Sequence, residues 1–239
     1  MLTQLIKGGY SGTEIVFYIL VFVFALTLSF AFHEFMHAFV AHLLGDDTAK
    51  NMGRVTLNPL AHVDPIGTVL ILFIGFGWGK PVPVNPNRLT RFKSKRLMSI
   101  MVSLAGVTGN FILAFISCVI YTIMAYKIDL DAYPLLFCIA QIFAYTFVFS
   151  MGLLAFNLLP IPPLDGFHVI EELLPYKIRY TDGYKKFSMI APRVLLGIIM
   201  LGSITGVNVL SKLIDIIEAP FFMLIELLMT PIYLLLGGV

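Results

Sequence analysis

Long runs of apolar residues, separated by short polar segments, dominate the chain. An α-helix needs about 20 mostly apolar residues to cross the hydrocarbon core of a bilayer. Five runs have about this length, at 15–44, 97–126, 133–159, 189–210 and 213–236. Acidic residues interrupt the last run, which could therefore span the membrane or lie at its surface as an amphipathic helix. The pattern predicts an all-α polytopic membrane protein with about five transmembrane helices.

A further apolar run, 66–79, is only about half as long as a spanning helix. It contains four glycines and is followed by Pro81 and Pro83. Its β-branched residues and glycines are typical of a short hairpin. Non-helical backbone at membrane depth is tolerated only against protein or a wet cavity. We therefore expect a short re-entrant β-hairpin here, with a cavity nearby.

The basic residues are concentrated in three segments, which we call the basic linkers. Segments 80–96, 160–188 and 45–65 hold six, four and two of the 16 Lys and Arg residues. If 66–79 is re-entrant, all three lie on one side of the membrane, and the positive-inside rule makes that side cytoplasmic. The sequence therefore predicts an integral protein of a bacterial-type cell membrane, with its N-terminus outside.

Composition agrees with this interpretation. Hydrophobic residues make up 59% of the 239 residues and charged residues 13%, whereas soluble domains have about 45–50% and about 25%. The mean hydropathy of +0.92 excludes a disordered chain and leaves too few polar side chains to coat a soluble enzyme. We expect one membrane-embedded domain, 1–239, with the lipid bilayer as a partner. No Walker A or GxGxxG pattern indicates a nucleotide, and the net charge of +2 does not indicate nucleic acid.

The first apolar run contains the sequence HEFMH at 33–37. His33 and His37 are four residues apart, so their imidazoles lie on one face of a helix. This spacing suits two ligands of a Zn²⁺ ion, with Glu34 as the general base toward a zinc-bound water. Chance polar residues on a buried face are the alternative, but ionisable residues inside a span are costly and indicate function. The motif therefore favours hydrolysis within the membrane.

A catalytic zinc site has three protein ligands and a water, so a third ligand is needed. Asp165 ends the sequence NLLPIPPLD, which begins at Asn157 and follows a whole apolar run. Three prolines in four residues end the helix there, and Gly166 lets the backbone turn after the carboxylate. The first and third runs cross in the same direction, so Asp165 can face the two histidines.

Other ionisable residues are weaker candidates. His168 and the pair Glu171 and Glu172 are the alternative third ligands, because they follow Asp165 closely. His42 is off the ligand face and is expected at the membrane interface. His62 lies in a linker and is expected to be structural.

The two motifs together resemble the site-2 protease family of intramembrane zinc metalloproteases. That family pairs HExxH on one span with NxxPxxxLDG on a later one. The stretch 75–86 resembles the family's re-entrant β-hairpin and the loop after it, and 106–110 matches its GxxxN pattern. The resemblance covers about residues 15–170. The second motif is complete here: Asn157, Pro160, Leu164, Asp165 and Gly166.

The resemblance implies roles for six residues. One Zn²⁺ per chain is bound by three ligands, a carboxylate is catalytic, and two amides lie near the substrate or the oxyanion. The hairpin would guide an extended substrate strand by main-chain pairing. The length leaves no room for the PDZ or CBS modules of many relatives, so we expect a minimal form. The three zinc ligands would be His33, His37 and Asp165, and the catalytic carboxylate would be Glu34. The two amides near the substrate or the oxyanion would be Asn157 and Asn110.

The sequence therefore predicts a zinc-dependent intramembrane endopeptidase. Its partner would be a membrane protein cut in or near a transmembrane segment, in regulated intramembrane proteolysis or in the removal of membrane remnants. A catalytically silent membrane protein that binds a metal or a helix is a second hypothesis, which the intact Glu34 disfavours. A metal transporter is a third, which the charge-free spans 97–126 and 133–156 weaken.

Overall fold

The chain is described by a computed structural model that covers residues 8–74, 77–205 and 209–237. Within these residues the fold is all-helical, as the apolar runs predict. Two short 3₁₀ turns, Pro59–Ala61 and Pro86–Arg88, lie in the linkers. The α-helices are α1 (Gly12–Leu43), α2 (Thr48–Asn51), α3 (Pro65–Ile74), α4 (Lys95–Lys127), α5 (Pro134–Asn157), α6 (Asp165–Leu173), α7 (Tyr176–Arg179), α8 (Asp182–Thr205) and α9 (Val209–Leu236).

Four of the described helices are long and apolar enough to cross a membrane, namely α1, α4, α5 and α9. The last apolar run is thus among the candidate spans. The predicted run 189–210 forms most of α8 but also includes 206–208, which lie outside the described residues. Pro192 and Arg193 interrupt its first half, and α8 is not among the four. The described part therefore has four candidate spans where the sequence predicts about five.

Local signals explain where the spanning helices begin and end. At the start of α1, Ser11 and Glu14 form a capping box, in which each side chain accepts from the backbone N–H of the other residue. The helix stops before Gly45, which has a φ of +105°, a conformation that favours glycine. The hydroxyl of Ser94 caps α4 by accepting from the N–H of Leu97 at 3.2 Å.

The predicted re-entrant β-hairpin at 66–79 is wrong, because the structure has no strand in the residues it describes. Residues Pro65–Ile74 form α3 instead, and 75–76 lie outside the described residues. Residues 77–85, which we call the extended segment, follow without a strand partner. After Gly67 the run TVLILFI has no glycine or proline, so a helix satisfies its main chain within one segment. A hairpin would need a second strand.

Two glycines bring α4 against α1 at the HEFMH sequence. A Cβ atom built on Gly106 would lie only 2.4 Å from Nε2 of His37. A Cβ atom built on Gly109 would lie 2.4 Å from Cγ of Met36. Small residues let helix backbones approach closely in a membrane. The backbone of α4 therefore passes directly beside the two histidines.

Buried hydroxyl groups join α1 to α5. Ser29 is fully buried and donates to the carbonyl of Ala25 at 2.9 Å, and it lies 3.3 Å from the carbonyl of Thr146. Ser150 donates to the hydroxyl of Ser29 at 3.0 Å. The hydroxyls of Ser29 and Ser150 therefore both have partners inside the apolar bundle, as low-dielectric surroundings require.

The basic linkers meet at one end of the bundle. The N–H of Asn85 donates to Oδ2 of Asp46 at 2.6 Å, which joins linker 80–96 to linker 45–65, the first basic linker along the chain. The guanidinium of Arg96 donates to the carbonyl of Leu174 at 3.0 Å, which joins linker 80–96 to linker 160–188. Because α1 and α5 both run toward this end, the residues that follow them come close together.

We expect Ser29→Leu to destabilise the bundle by about 1–3 kcal/mol, because the larger side chain would force α1 and α5 apart. Ser29→Ala fits the same space and loses only hydrogen bonds, which cost about 0.6 kcal/mol each inside a membrane. Thermal unfolding of the purified protein in detergent measures both. Val16→Leu, on the exposed side of α1, serves as the control. A Ser29→Leu protein as stable as the control would contradict this packing.

Candidate metal centre

Three ionisable side chains converge where α1 meets the start of α6. Nε2 of His33 and Nε2 of His37 lie 3.0 Å apart. Oδ2 of Asp165 lies 3.3 Å from the first nitrogen and 3.2 Å from the second. The side chains of His37 and Asp165 are only 12% and 15% exposed, and His33 is buried. The structure thus brings together these three sequence-predicted residues.

The donor atoms of this group fit a zinc ion. Ligands at about 2.0–2.1 Å from a tetrahedral ion lie roughly 3.3–3.4 Å apart, close to the separations observed here. Oδ2 of Asp165 is buried and makes no hydrogen bond of acceptable geometry in the described residues, although both Nε2 atoms are near. Two imidazoles and a carboxylate are also a donor set that zinc uses in catalytic sites.

The proline-rich turn after α5 places Asp165 next to the two histidines. Three prolines between Leu159 and Leu164 prevent the helix from continuing. Gly166 then packs so closely on the preceding turn that an added Cβ atom would lie 2.2 Å from the carbonyl oxygen of Leu158. Any larger residue at this position would displace the turn and, with it, the adjacent carboxylate.

The Nδ1 atoms of both imidazoles, on the side away from Asp165, have partners on α4. Nδ1 of His37 lies 2.7 Å from the carbonyl oxygen of Val102, which can only accept, so Nδ1 carries a proton and the neutral ring has its lone pair on Nε2. Nδ1 of His33 lies 3.2 Å from the side-chain amide of Asn110. The nitrogen and oxygen of an amide are interchangeable in shape, so with the amide turned over, Oδ1 of Asn110 accepts a hydrogen bond from Nδ1 in the same position.

Glu34 is buried beside the group and is held by the extended segment. The backbone N–H of Val82 donates to Oε2 of Glu34 at 2.7 Å. Glu34 lines the same cavity of about 420 Å³ as His33, His37 and Asp165. A carboxylate with one oxygen fixed by a donor has its second oxygen available for proton transfer in that cavity.

A second cavity, of about 540 Å³, adjoins the first and is almost entirely apolar. Its walls come from α1, the extended segment, α5 and α8. Pro81, Asn157 and Pro163 line both cavities. An apolar chamber therefore opens directly beside the polar one.

The two predicted amides occupy different places. Asn157 lines both cavities, and its Nδ2 donates to the carbonyl of Leu153 at 2.9 Å. Asn110 is fully buried behind His33 and lines neither of these cavities. Its position favours a role in orienting His33 over the contact with substrate that the family resemblance implies.

The alternative third ligands are engaged elsewhere. His168 lies 3.4 Å from Glu171, and Glu171 accepts from the hydroxyl of Tyr184 at 2.6 Å. Glu172 pairs with Arg179 at 3.2 Å. All three candidates line the polar cavity, but none belongs to the converging group.

The two remaining predicted histidines lie away from the group. His42 contacts the carboxylate of Asp47 at 2.5 Å on the surface of the first basic linker. His62 is buried, and its ring lies 2.9 Å from the carbonyl oxygen of Thr56. Neither lines the polar cavity.

Three contacts at this centre were missed by the sequence analysis. They are the carbonyl of Val102 on His37, the N–H of Val82 on Glu34, and the guanidinium of Arg54 on the extended segment. Main-chain contacts between distant segments leave no local sequence signal. Arg54 was counted only as a charge of the basic linkers.

A protein-family model and several curated proteins match parts of this chain. The model of peptidase family M50 matches residues 123–202, a stretch that contains both Asn157 and Asp165. No solved structure gives a significant match to the chain.

Curated bacterial relatives match a larger part of the chain. YwhC of Bacillus subtilis is 47% identical over 158 residues, which are 66% of this chain and 70% of YwhC. Rip2 of Mycolicibacterium smegmatis is 32% identical over 187 residues, which are 75% of this chain and 68% of Rip2. Rip2 of Mycobacterium tuberculosis is 30% identical over 171 residues, 70% of this chain and 63% of that protein. All three are named as zinc metalloproteases.

We expect Asn110→Leu to weaken zinc binding by about 10–100-fold, because the partner that orients His33 is removed. Asn110→Asp keeps an acceptor for Nδ1 and should stay within a few-fold of the wild type. Competition with a chromogenic chelator measures both affinities in detergent. If the two variants bound zinc equally well, Asn110 would have no orienting role.

Proposed function

The chain belongs to peptidase family M50, the site-2 protease family, and we propose that it is an intramembrane endopeptidase that cuts transmembrane segments of other proteins. Family and relatives support a membrane metalloprotease that uses zinc. One observation carries the finer proposal: His33, His37 and Asp165 converge beside Glu34 in a single cavity that adjoins an apolar one.

We assign Nε2 of His33, Nε2 of His37 and the carboxylate of Asp165 as the protein ligands of one zinc ion per chain. Bound zinc would supply a Lewis acid that lowers the pKa of its water toward about 7 and polarises the scissile carbonyl. The chain itself fixes the ligands, since Val102 holds His37 and Asn110 holds His33. Such outer contacts fix the tautomer and the ring orientation.

Glu34 is assigned as the general base and acid. Its Oε2 is held by the N–H of Val82, so Oε1 takes the proton from the attacking water. The same carboxyl then delivers this proton to the leaving amine, which completes hydrolysis of the peptide bond. Burial of Glu34 keeps bulk water from competing for the proton.

The apolar cavity suits the part of a transmembrane substrate next to the scissile bond. A helix in the membrane hides its peptide groups in its own hydrogen bonds, so the substrate must unwind before it is cut. Asn157 lies at the junction of the two cavities. Its amide is suitably placed to donate to the developing oxyanion, a contact that stabilises the transition state.

We place the site toward the cytoplasmic face of a bacterial cell membrane, with the N-terminus outside. The meeting of the basic linkers at one end of the bundle supports this orientation. The substrates would be membrane-anchored regulators or membrane remnants with a transmembrane segment, and neither nucleotide nor nucleic acid would take part.

We expect the purified protein to contain about one zinc per chain and Asp165→Ala to lose most of it, because one of three ligands is removed. Elemental mass spectrometry of the detergent-purified proteins measures this ratio. Asp129→Ala, an exposed carboxylate in the linker between α4 and α5, is the matched control. Full zinc retention in Asp165→Ala would move the third ligand to His168 or to Glu171 and Glu172.

We expect Glu34→Gln to bind zinc as the wild type does and to lose cleavage, because an amide cannot accept the water proton. The probe is a fusion of two soluble tags joined by a transmembrane segment that contains Gly and Pro, reconstituted with the protease in liposomes. Gel analysis and mass spectrometry of the fragments report the rate and position of cleavage. Glu34→Gln cutting this fusion at the wild-type rate would refute the assignment.

A further inference from the structure

The extended segment reaches the polar cavity as the sequence Pro81-Val82-Pro83. Proline has no backbone N–H and a fixed φ, so Val82 supplies the only main-chain donor of these three residues. A residue that precedes proline is also restricted to extended conformations. The single donor of this stretch is the one that contacts Glu34.

Arg54 holds the segment immediately before that donor. One terminal nitrogen of its guanidinium donates to the carbonyl of Lys80 and, at 3.3 Å, to the carbonyl of Pro81. Arg54 is 6% exposed and pairs with no carboxylate in the described part of the chain. Burying a cation without a counter-ion costs free energy, and the hydrogen bonds to these two carbonyls offset part of that cost.

His62 and Asp46 hold the same segment from either side. The carbonyl of His62 accepts from the N–H of Lys80 at 2.7 Å, and Asp46 accepts from the N–H of Asn85. Burial lowers the pKa of His62, and the charge of Arg54 acts in the same direction, so the ring is neutral and Nε2 donates to Thr56. The first basic linker thus forms a fixed support for residues 80–85.

We propose that Arg54 is a positioning residue for the catalytic carboxylate, because it fixes Lys80 and Pro81 so that the N–H of Val82 meets Oε2 of Glu34. This inference rests on the proposed role of Glu34. The planar guanidinium presents its donors in a fixed direction, whereas the ammonium of a lysine sits on a flexible stem and would hold the two carbonyls less precisely. A displaced N–H would let the carboxylate rotate away from the attacking water.

The contact itself is tested without any substrate. In Arg54→Gln, we expect the amide hydrogen of Val82 to exchange about tenfold faster or more, as it also should in Glu34→Ala, which removes the acceptor. Exchange is followed by NMR of the ¹⁵N-valine-labelled protein in detergent. Arg54→Lys should be intermediate, and Arg91→Gln, an exposed arginine of a neighbouring linker, is the matched control.

The catalytic consequence is tested with the tagged transmembrane fusion. We expect Arg54→Gln to lower kcat by about 10–100-fold with little change in KM, because the lost contact acts on the transition state. Zinc content should stay at the wild-type ratio, which separates this effect from loss of the metal. Arg54→Lys should restore part of kcat.

A backbone substitution tests the same hydrogen bond directly. Val82→Pro removes the N–H, whereas Val82→Ala keeps it with a smaller side chain, so Val82→Pro should have the much lower kcat. Arg54→Gln combined with Val82→Pro should lose no more than the worse single variant, since both act through one contact. Additive losses would overturn the proposal.

The outcomes separate this inference from the proposed function. If Val82 exchange is unchanged in Arg54→Gln while the wild type cuts the fusion, Arg54 has no positioning role and the protease assignment stands. If exchange rises in Arg54→Gln but zinc-loaded wild type does not cut, the contact is real and the proposed function fails, so the catalytic role of Arg54 falls with it.

Discussion

His33, His37 and Asp165 bring three possible metal-binding atoms within 3.3 Å of one another inside a bundle that is mostly apolar. When all three atoms are unprotonated, as metal ligands must be, they repel one another and have lost their hydration, so the arrangement is costly unless a cation binds between them. Much of the local architecture serves this convergence. Gly106 lets α4 pass beside the imidazoles, and the proline-rich break after α5 turns the chain so that Asp165 points back at α1.

The groups around the centre are held from outside by a continuous set of contacts. A main-chain carbonyl and a buried amide of α4 hold the two imidazoles, and a main-chain N–H of the extended segment holds Glu34. The first basic linker in turn holds the extended segment through Arg54, His62 and Asp46. A reaction site gains precision when its side chains are locked by such surrounding contacts. The linkers therefore help to fix the side chains of the centre in place.

Polar and apolar chambers share a wall at Pro81, Asn157 and Pro163. Under the proposed function, this arrangement would meet two physical requirements of peptide hydrolysis in a membrane. A transmembrane substrate would be apolar and would need apolar surroundings, whereas water and a charged carboxylate need polar ones. Helix α8 lines the apolar chamber through Pro192, Leu195 and Leu196, so its position determines the width of that chamber.

The sequence by itself determined the all-helical membrane architecture, because long apolar runs are local and a bilayer leaves helices as their main solution. It also singled out His33, His37 and Asp165, since HExxH fixes two groups on one helix face and the direction of the spans fixes the end at which the third must lie. Only the tertiary structure decided the rest. Residues 66–74 belong to a helix and residues 77–79 to a segment with no strand partner among the described residues, because pairing depends on a partner strand that no local pattern supplies. The placement of Asn110 behind His33, and of Arg54 on the carbonyls of Lys80 and Pro81, likewise depends on contacts between segments distant in sequence.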